Sequence, residues 1–285
     1  MTEFFVNLPL SYIETAPSHF DLFVRHELSP ELGLDAGSID EFGSERHARC
    51  RQAVSGAGVK TSVHFPFMDL RPGSPDRLIR QASLERLEKA VQVALPYSPS
   101  HVIVHSGYVP GVCDENYSSW LENSVETWIR ILDRAPELNF YLENVYEQDP
   151  VQVKDLLAEL GGRLGFCFDI GHWHSFGRGS LNRDLPLWLQ NLGPYLGHLH
   201  LHDNEGEKDQ HLGLGSGKIP FVELFAGLEF LDLSPTFTLE PHSLEDFVQS
   251  LNYILKHKYW FSRLNLRRQD FDHLQQVYSA LSGRS

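Results

Sequence analysis

Short β-rich runs alternate with longer amphipathic segments from one end of this sequence to the other. The predicted strands are residues 3–8, 20–27, 61–67, 101–106, 139–144, 165–170, 197–202 and 236–240, and the predicted helices include 75–94, 117–132, 151–160, 221–231 and 244–255. Eight strands, most of them followed by a helix, favour a closed parallel barrel over an open sheet. A (β/α)8 barrel usually takes about 250 residues. We therefore predict an α/β fold with one barrel domain over residues 1–257, and a C-terminal extension, 258–285, packed on the barrel or at a subunit contact.

The charge and the cysteine content exclude several classes of protein. The chain has 24 Lys and Arg against 38 Asp and Glu, a net charge of -14, so duplex DNA and anionic membranes are poor partners. Three cysteines without CxxC spacing indicate a reducing compartment. The first residues, MTEFFVNLPL, carry an acidic residue where a signal peptide has positive charge, and no apolar run reaches the roughly 20 residues that span a bilayer. We expect a cytoplasmic protein with no membrane partner.

Metal-competent side chains end six successive predicted strands, each one strand–helix unit from the next. Because the carboxyl ends of barrel strands meet at one rim, these side chains should converge. The six are His64, His105, Glu143, Asp169, His200 and Glu240; His172 follows in the FDIGH motif, and Asp209 and His211 lie in the next loop, DQHLGLGSG. Several carboxylates at one site stay ionised only if cations share them, and a nitrogen–oxygen ligand set favours Zn, Mn or Fe over Mg or Ca.

This ordered set of nine residues resembles the xylose isomerase-like TIM barrel superfamily, and most closely its AP endonuclease family 2 branch, typified by endonuclease IV. The resemblance covers roughly residues 1–257 and implies a cluster of up to three Zn²⁺ ions, with Mn²⁺ or Fe as replacements at some sites. It implies that His64 and His105 hold a first ion, which Glu143 bridges to a second. The second ion is completed by Asp169, His200 and Glu240, and the third is held by His172, Asp209 and His211.

The same resemblance implies hydrolysis of a phosphoester, with Glu240 and Glu143 as the catalytic carboxylates. A hydroxide held between two ions is a nucleophile at neutral pH, and Glu240 would orient it, while the ions neutralise the charge of the transition state. Because the exterior is acidic, we expect a small anionic, nucleotide-like substrate, such as the nucleotide loop of a cobamide, rather than duplex DNA.

Three other functions are compatible with the sequence. A sugar or sugar-phosphate isomerase or epimerase would need one divalent ion on Glu143, Asp169, His200 and Glu240, with the two glutamates moving a proton beside a carbonyl. An apurinic/apyrimidinic endonuclease would need a wedge, for which Phe67 and Met68 are candidates; the alternative, which we favour, is that these two residues line the pocket or cap the core. A metal-binding protein without turnover would keep only the ligands.

The glycines at 213, 215 and 217 either let the backbone approach a substrate or form an ordinary connection.

Overall fold

Eight parallel strands form a closed barrel in a computed structural model that describes residues 4–283. The strands pair in chain order, and β1 closes the barrel by pairing with β8. They are β1 (Phe5–Pro9), β2 (Ser29–Gly33), β3 (Ser62–His64), β4 (Val102–His105), β5 (Phe140–Glu143), β6 (Gly165–Asp169), β7 (Leu196–Leu201) and β8 (Thr236–Leu239). The predicted TIM barrel is confirmed.

Helices surround the barrel and connect its strands. They are α1 (Tyr12–Thr15), α2 (Pro17–Arg25), α3 (Ala36–Asp40), α4 (Ser44–Ala57), α5 (Arg77–Ala94), α6 (Tyr117–Arg134), α7 (Val151–Glu159), α8 (Ile170–His174), α9 (Gly179–Asn182), α10 (Leu185–Leu192), α11 (Phe221–Phe230), α12 (Leu244–Lys256), α13 (Lys258–Arg263) and α14 (Arg268–Ser282). Single 3₁₀ turns lie at Leu95–Tyr97, Asp114–Asn116 and Gly193–Tyr195. Among residues 4–283, no helix combines the length and apolar character needed to cross a membrane.

Seven predicted strands are confirmed, as are the five predicted helices, with small differences at their ends. Glu3, the first residue of the predicted strand 3–8, lies outside the described residues. The predicted strand at 20–27 is wrong, because most of this segment belongs to α2 and the second strand follows it. Phe20 and Phe23 are both buried, and a spacing of three residues places them on one face of a helix. The true strand has the sequence SPELG, which carries little β signal.

The barrel strands separate an apolar core, which lies between the strands and the helices, from a partly polar space inside the barrel. Between strands and helices lies an apolar core that includes the fully buried Trp128, Trp188 and Phe168. Inside the barrel the strands present alternate residues, and several of these are polar, including Glu31 from β2 and His198 and His200 from β7. The polar residues that end the strands therefore meet above a partly polar interior.

Candidate metal centre

All nine predicted ligand residues lie together at the carboxyl end of the barrel, and we call this group the cage. Its members are His64, His105, Glu143, Asp169, His172, His200, Asp209, His211 and Glu240. Local geometry explains the position of His172. Asp169 ends β6 and caps α8, because its carboxylate accepts the backbone N–H of His172 at 2.7 Å. The short helix then turns the His172 side chain back over the barrel.

Two histidines converge on one oxygen of Glu143. His64 Nε2 lies 3.1 Å and His105 Nε2 lies 3.0 Å from Glu143 Oε2. The other oxygen, Oε1, lies 3.0 Å from His172 Nδ1 and 3.4 Å from His200 Nδ1. The Glu143 side chain is 1% exposed. It therefore occupies the middle of the cage, where one carboxylate can serve more than one ion.

His200 forms the floor of the cage. Its Nδ1 atom lies 3.4 Å from an oxygen of Glu143, 3.4 Å from one of Glu240 and 3.7 Å from one of Asp169. This buried nitrogen makes no hydrogen bond within residues 4–283. A buried nitrogen facing three carboxylates without a hydrogen bond is the arrangement that a metal ion would complete.

Asp209 joins the two outermost histidines. Its Oδ2 atom lies 2.9 Å from His211 Nε2 and 3.3 Å from His172 Nε2. The loop from β7 to α11 carries Asp209 and His211 over the mouth, and His211 adopts a positive φ of 52° there. The three groups expected from the resemblance are thus each brought together, while the assignment of any ion to them stays a prediction.

Two residues of the site were not predicted from the sequence. His202 lies 3.3 Å from Asp169 and 3.5 Å from Asp209, and its ring stacks on that of His211 with centroids 3.9 Å apart. The alternation His198, His200, His202 was the signal for it, since residues two apart share a face. Glu31 lies under the cage, 3.1 Å from His200 Nε2. No sequence signal identified Glu31, because β2 was misplaced.

The glycine-rich part of the β7–α11 loop does not form a cradle of amides for a substrate. The N–H of Gly213 donates to Asp246, and three further amides point at Asp203, which is 1% exposed. The Asp203 carboxylate accepts hydrogen bonds of 2.8–3.1 Å from the N–H groups of Gly215, Gly217 and Ile219. At Gly217 an added Cβ would lie 2.4 Å from the carbonyl oxygen of Asn204. The loop is an ordinary, tightly packed connection.

The environment drives the pKa values of the two proposed catalytic glutamates apart. Burial raises the pKa of Glu240, with His200 and His211 opposing the shift. Burial also acts against ionisation of Glu143, but His200 and His105 outweigh it and hold the pKa of Glu143 well below its ordinary value. Burial lowers the pKa of His211, but the contact with Asp209 outweighs it and raises that pKa to about 9. The carboxylates around His211 thus favour a positive charge at this end of the cage, where a metal ion could take the place of the proton.

The chemistry of this donor set fits a divalent transition ion. Within the cage, Asp169, His200 and Glu240 each offer an atom within 4.8 Å of the others, as do His64, Glu143 and His200. Imidazole nitrogens combined with carboxylate oxygens suit Zn, Mn or Fe. The donor set of the cage therefore fits a divalent metal ion.

A cavity of about 380 Å³ opens over the cage. Aromatic and apolar side chains form much of its wall; they are Phe67, Met68, Leu70, Tyr108, Val109, Val145, Tyr146 and Phe176. The Phe67 ring stacks on His105 with centroids 4.5 Å apart, so this candidate wedge residue covers the cage. Of the residues described, Arg71 is the only Lys or Arg that lines the cavity. The volume suits a small molecule.

Comparison with known proteins finds relatives that include a sugar epimerase and a protein solved with zinc. Fructoselysine 3-epimerase of Shigella flexneri is 25% identical over 244 residues, which cover 72% of this chain and 80% of that protein. A D-tagatose 3-epimerase-like protein is 25% identical with a TM-score of 0.74, covering 93% and 98% of the two chains. A protein from Thermus thermophilus, solved after soaking with ZnCl₂, is 29% identical with a TM-score of 0.73, covering 88% and 96%.

The expected phosphoester hydrolase is therefore wrong, and so is the nucleotide-like substrate that accompanied it. The relatives named above include a fructoselysine 3-epimerase and a D-tagatose 3-epimerase-like protein, and these names agree instead with the alternative function. The physical reason is that a ligand set determines how ions are held and not which bond is changed. The donor types of Glu143, Asp169, His200 and Glu240 suit proton transfer as well as they suit hydrolysis.

The family expected from the ordered ligand set is confirmed. The model of the xylose isomerase-like TIM barrel family matches residues 26–257, which is most of the chain. The strand order and closure agree with that description. The protein belongs to the xylose isomerase-like TIM barrel family.

Proposed function

We propose that this protein is a metal-dependent isomerase or epimerase of a sugar. The observation that carries the proposal is the pair of buried glutamates, Glu143 and Glu240, each with an oxygen 3.4 Å from His200 Nδ1. Two carboxylates beside one metal-binding position can remove a proton from a carbon next to a carbonyl and return it. The 3-epimerase names of the relatives support this reaction type.

A divalent ion would be held by Glu143, Asp169, His200 and Glu240. When bound, it would polarise the substrate carbonyl and acidify the neighbouring C–H group. We propose Zn²⁺, Mn²⁺ or Fe for this position, and up to two further ions on the remaining cage residues. Metal analysis of the purified protein counts the ions, and a single ion per chain removes the additional positions.

The residues of the chain would divide the remaining work. Glu143 and Glu240 are both members of the cage and face the position of the ion. They would remove the proton from the substrate carbon and return it. The aromatic wall, with Phe67 and Tyr108, would cover the apolar face of a sugar ring and exclude water. Arg71 is the cation that would meet an anionic group, so the small anionic substrate expected from the sequence remains a proposal in the form of a sugar phosphate.

The test is conversion of ketohexoses and their phosphates by metal-loaded protein, with the products separated by chromatography. We expect formation of an epimer or isomer that stops when a chelator removes the metal. Glu143→Gln and Glu240→Gln should each lower the rate by about 10²–10⁴-fold, the usual contribution of a positioned acid or base. The exposed Glu223→Gln in α11 is the matched control and should retain the full rate. Metal-loaded protein that converts none of these sugars contradicts the proposal.

A further inference from the structure

Three histidines of the cage have their ring orientation fixed in the same way. In each, Nδ1 lies 2.8–3.0 Å from a backbone carbonyl oxygen, which can only accept a hydrogen bond. The pairs are His64 with Phe65, His172 with Asn144, and His211 with Glu240. In the neutral form of each ring, which is the form that binds metal, the proton therefore lies on Nδ1 and Nε2 faces a carboxylate of the cage. His172 Nδ1 lies 3.0 Å from Glu143 Oε1 as well, so Glu143 shares this side of the His172 ring with the carbonyl.

His200 has the opposite orientation. Its Nδ1 atom faces the carboxylates, while its Nε2 atom points down into the barrel and lies 3.1 Å from Glu31 Oε1. Both side chains are buried, at 0% and 1% exposure. Within residues 4–283, His200 Nε2 and Glu31 Oε1 are both buried without a hydrogen bond of good geometry, and the two atoms lie in contact with each other. Glu31 Oε1 is thus the acceptor placed for the N–H at His200 Nε2, and that N–H is the donor placed for Glu31 Oε1.

The other oxygen of Glu31 is already occupied. Glu31 Oε2 accepts hydrogen bonds from the hydroxyls of Thr238 at 2.8 Å and Ser62 at 3.2 Å, both of which are buried. These donors come from β8 and β3, so strands on two sides hold the carboxylate in one orientation. That orientation leaves Oε1 directed at His200.

We propose that Glu31 is the positioning residue of the metal site, acting through His200. It accepts the Nε2–H of His200, which fixes the tautomer that presents the Nδ1 lone pair to Asp169 and Glu240. A carboxylate in this place also raises the basicity of the imidazole more than a carbonyl would. The inference rests on the metal site of the proposed function and adds a residue that does not touch the substrate.

The first test compares the metal affinity of Glu31→Gln with that of the unaltered protein, using Co²⁺ or Zn²⁺ and a competing chelator. Loss of such a partner typically weakens metal binding about 10–100-fold, and we expect a fall in that range. His101→Gln is the matched control, because His101 is buried in the same layer, 4.0 Å from Glu31 Oε2, and does not contact the cage. It should leave the affinity unchanged.

The second test needs no variant at Glu31. Long-range ¹H–¹⁵N spectra of the zinc-loaded protein should show His200 protonated on Nε2 and ligating through Nδ1, with the signal assigned by its loss in His200→Gln. Protonation on Nδ1, or equal metal affinity of Glu31→Gln and the unaltered protein, overturns the role of Glu31 alone. An unaltered protein that binds neither ion overturns the metal site of the proposed function instead.

Discussion

Asp203 shows how one buried side chain controls the outer part of the site. Besides the three amides of the glycine-rich segment, its carboxylate accepts the N–H of Asn204 at 2.9 Å. Its backbone forms paired hydrogen bonds with Leu212, both 2.8 Å long. These bonds fix both ends of the segment that carries Asp209 and His211. The two outermost ligand candidates are therefore placed by a residue that is not a ligand.

We expect Asp203→Asn to lower the free energy of unfolding by about 2–3 kcal/mol. The amide removes the negative charge and replaces an acceptor with a donor that faces backbone N–H groups. Urea unfolding measures the loss, and Asp232→Asn is the control, because the Asp232 side chain is 97% exposed. An equal, small effect of the two variants would show that the loop does not depend on the Asp203 charge.

Single residues also show what a sequence can predict at this site. His64, His105 and Glu143 could be predicted because each ends an apolar strand, and the barrel brings all strand ends to one rim. Glu31 could not, because it lies in a strand with proline and glycine and faces a barrel interior that sequence rules expect to be apolar. The reaction could not be predicted from the ligands either, since hydrolysis and proton transfer use the same donor types.

At the scale of elements, the junction of β6 with α8 depends on close packing against the end of β7. Gly171 lies in the first turn of α8, and a Cβ added there would lie 1.9 Å from Cε1 of His202. Only glycine leaves room for that ring. The strand predicted at 20–27 is wrong at this same scale, because Phe20 and Phe23, three residues apart, are buried on one face of α2.

Gly171→Ala should therefore destabilise the protein and weaken metal binding, since either His202 or α8 has to move. Gly56→Ala is the matched control: Gly56 lies in α4, and an added Cβ there meets nothing within 4 Å. We expect Gly56→Ala to increase the free energy of unfolding by about 0.5–1 kcal/mol, the usual difference between alanine and glycine in a helix. Thermal unfolding of each variant, with and without metal, measures the change in stability and the stabilisation by metal. Equal changes in unfolding temperature for Gly171→Ala and Gly56→Ala would contradict the packing argument.

At the scale of the whole molecule, residues 258–285 were predicted as an extension of the barrel. The junction at residue 257 lies between α12 and α13. Phe261 of α13 is fully buried, and its ring centroid lies 5.2 Å from that of Phe225 in α11 and 5.6 Å from that of Phe237 in β8. Leu274 of α14 is fully buried as well. A role for this segment in a subunit contact stays a prediction.

Because Phe261 fills the space between α11 and β8, Phe261→Ala should reduce the free energy of unfolding by about 3–5 kcal/mol. Phe230→Ala is the control, because Phe230 is 88% exposed at the end of α11 and its removal leaves no cavity. Urea unfolding followed by tryptophan fluorescence measures both variants. A loss no larger than that of Phe230→Ala would mean that the extension packs only loosely on the barrel.

The most direct test of the proposed chemistry is hydrogen exchange at carbon. Metal-loaded protein is incubated with D-tagatose, D-fructose and their phosphates in D₂O, and the sugars are followed by ¹H NMR. Proton transfer by Glu143 and Glu240 predicts deuterium at the carbon beside the carbonyl, together with an epimer or isomer, and predicts that the epimer or isomer forms about 10²–10⁴-fold more slowly in each of the two Gln variants. Metal-loaded protein that exchanges no carbon-bound hydrogen in any of these sugars would contradict the central claim.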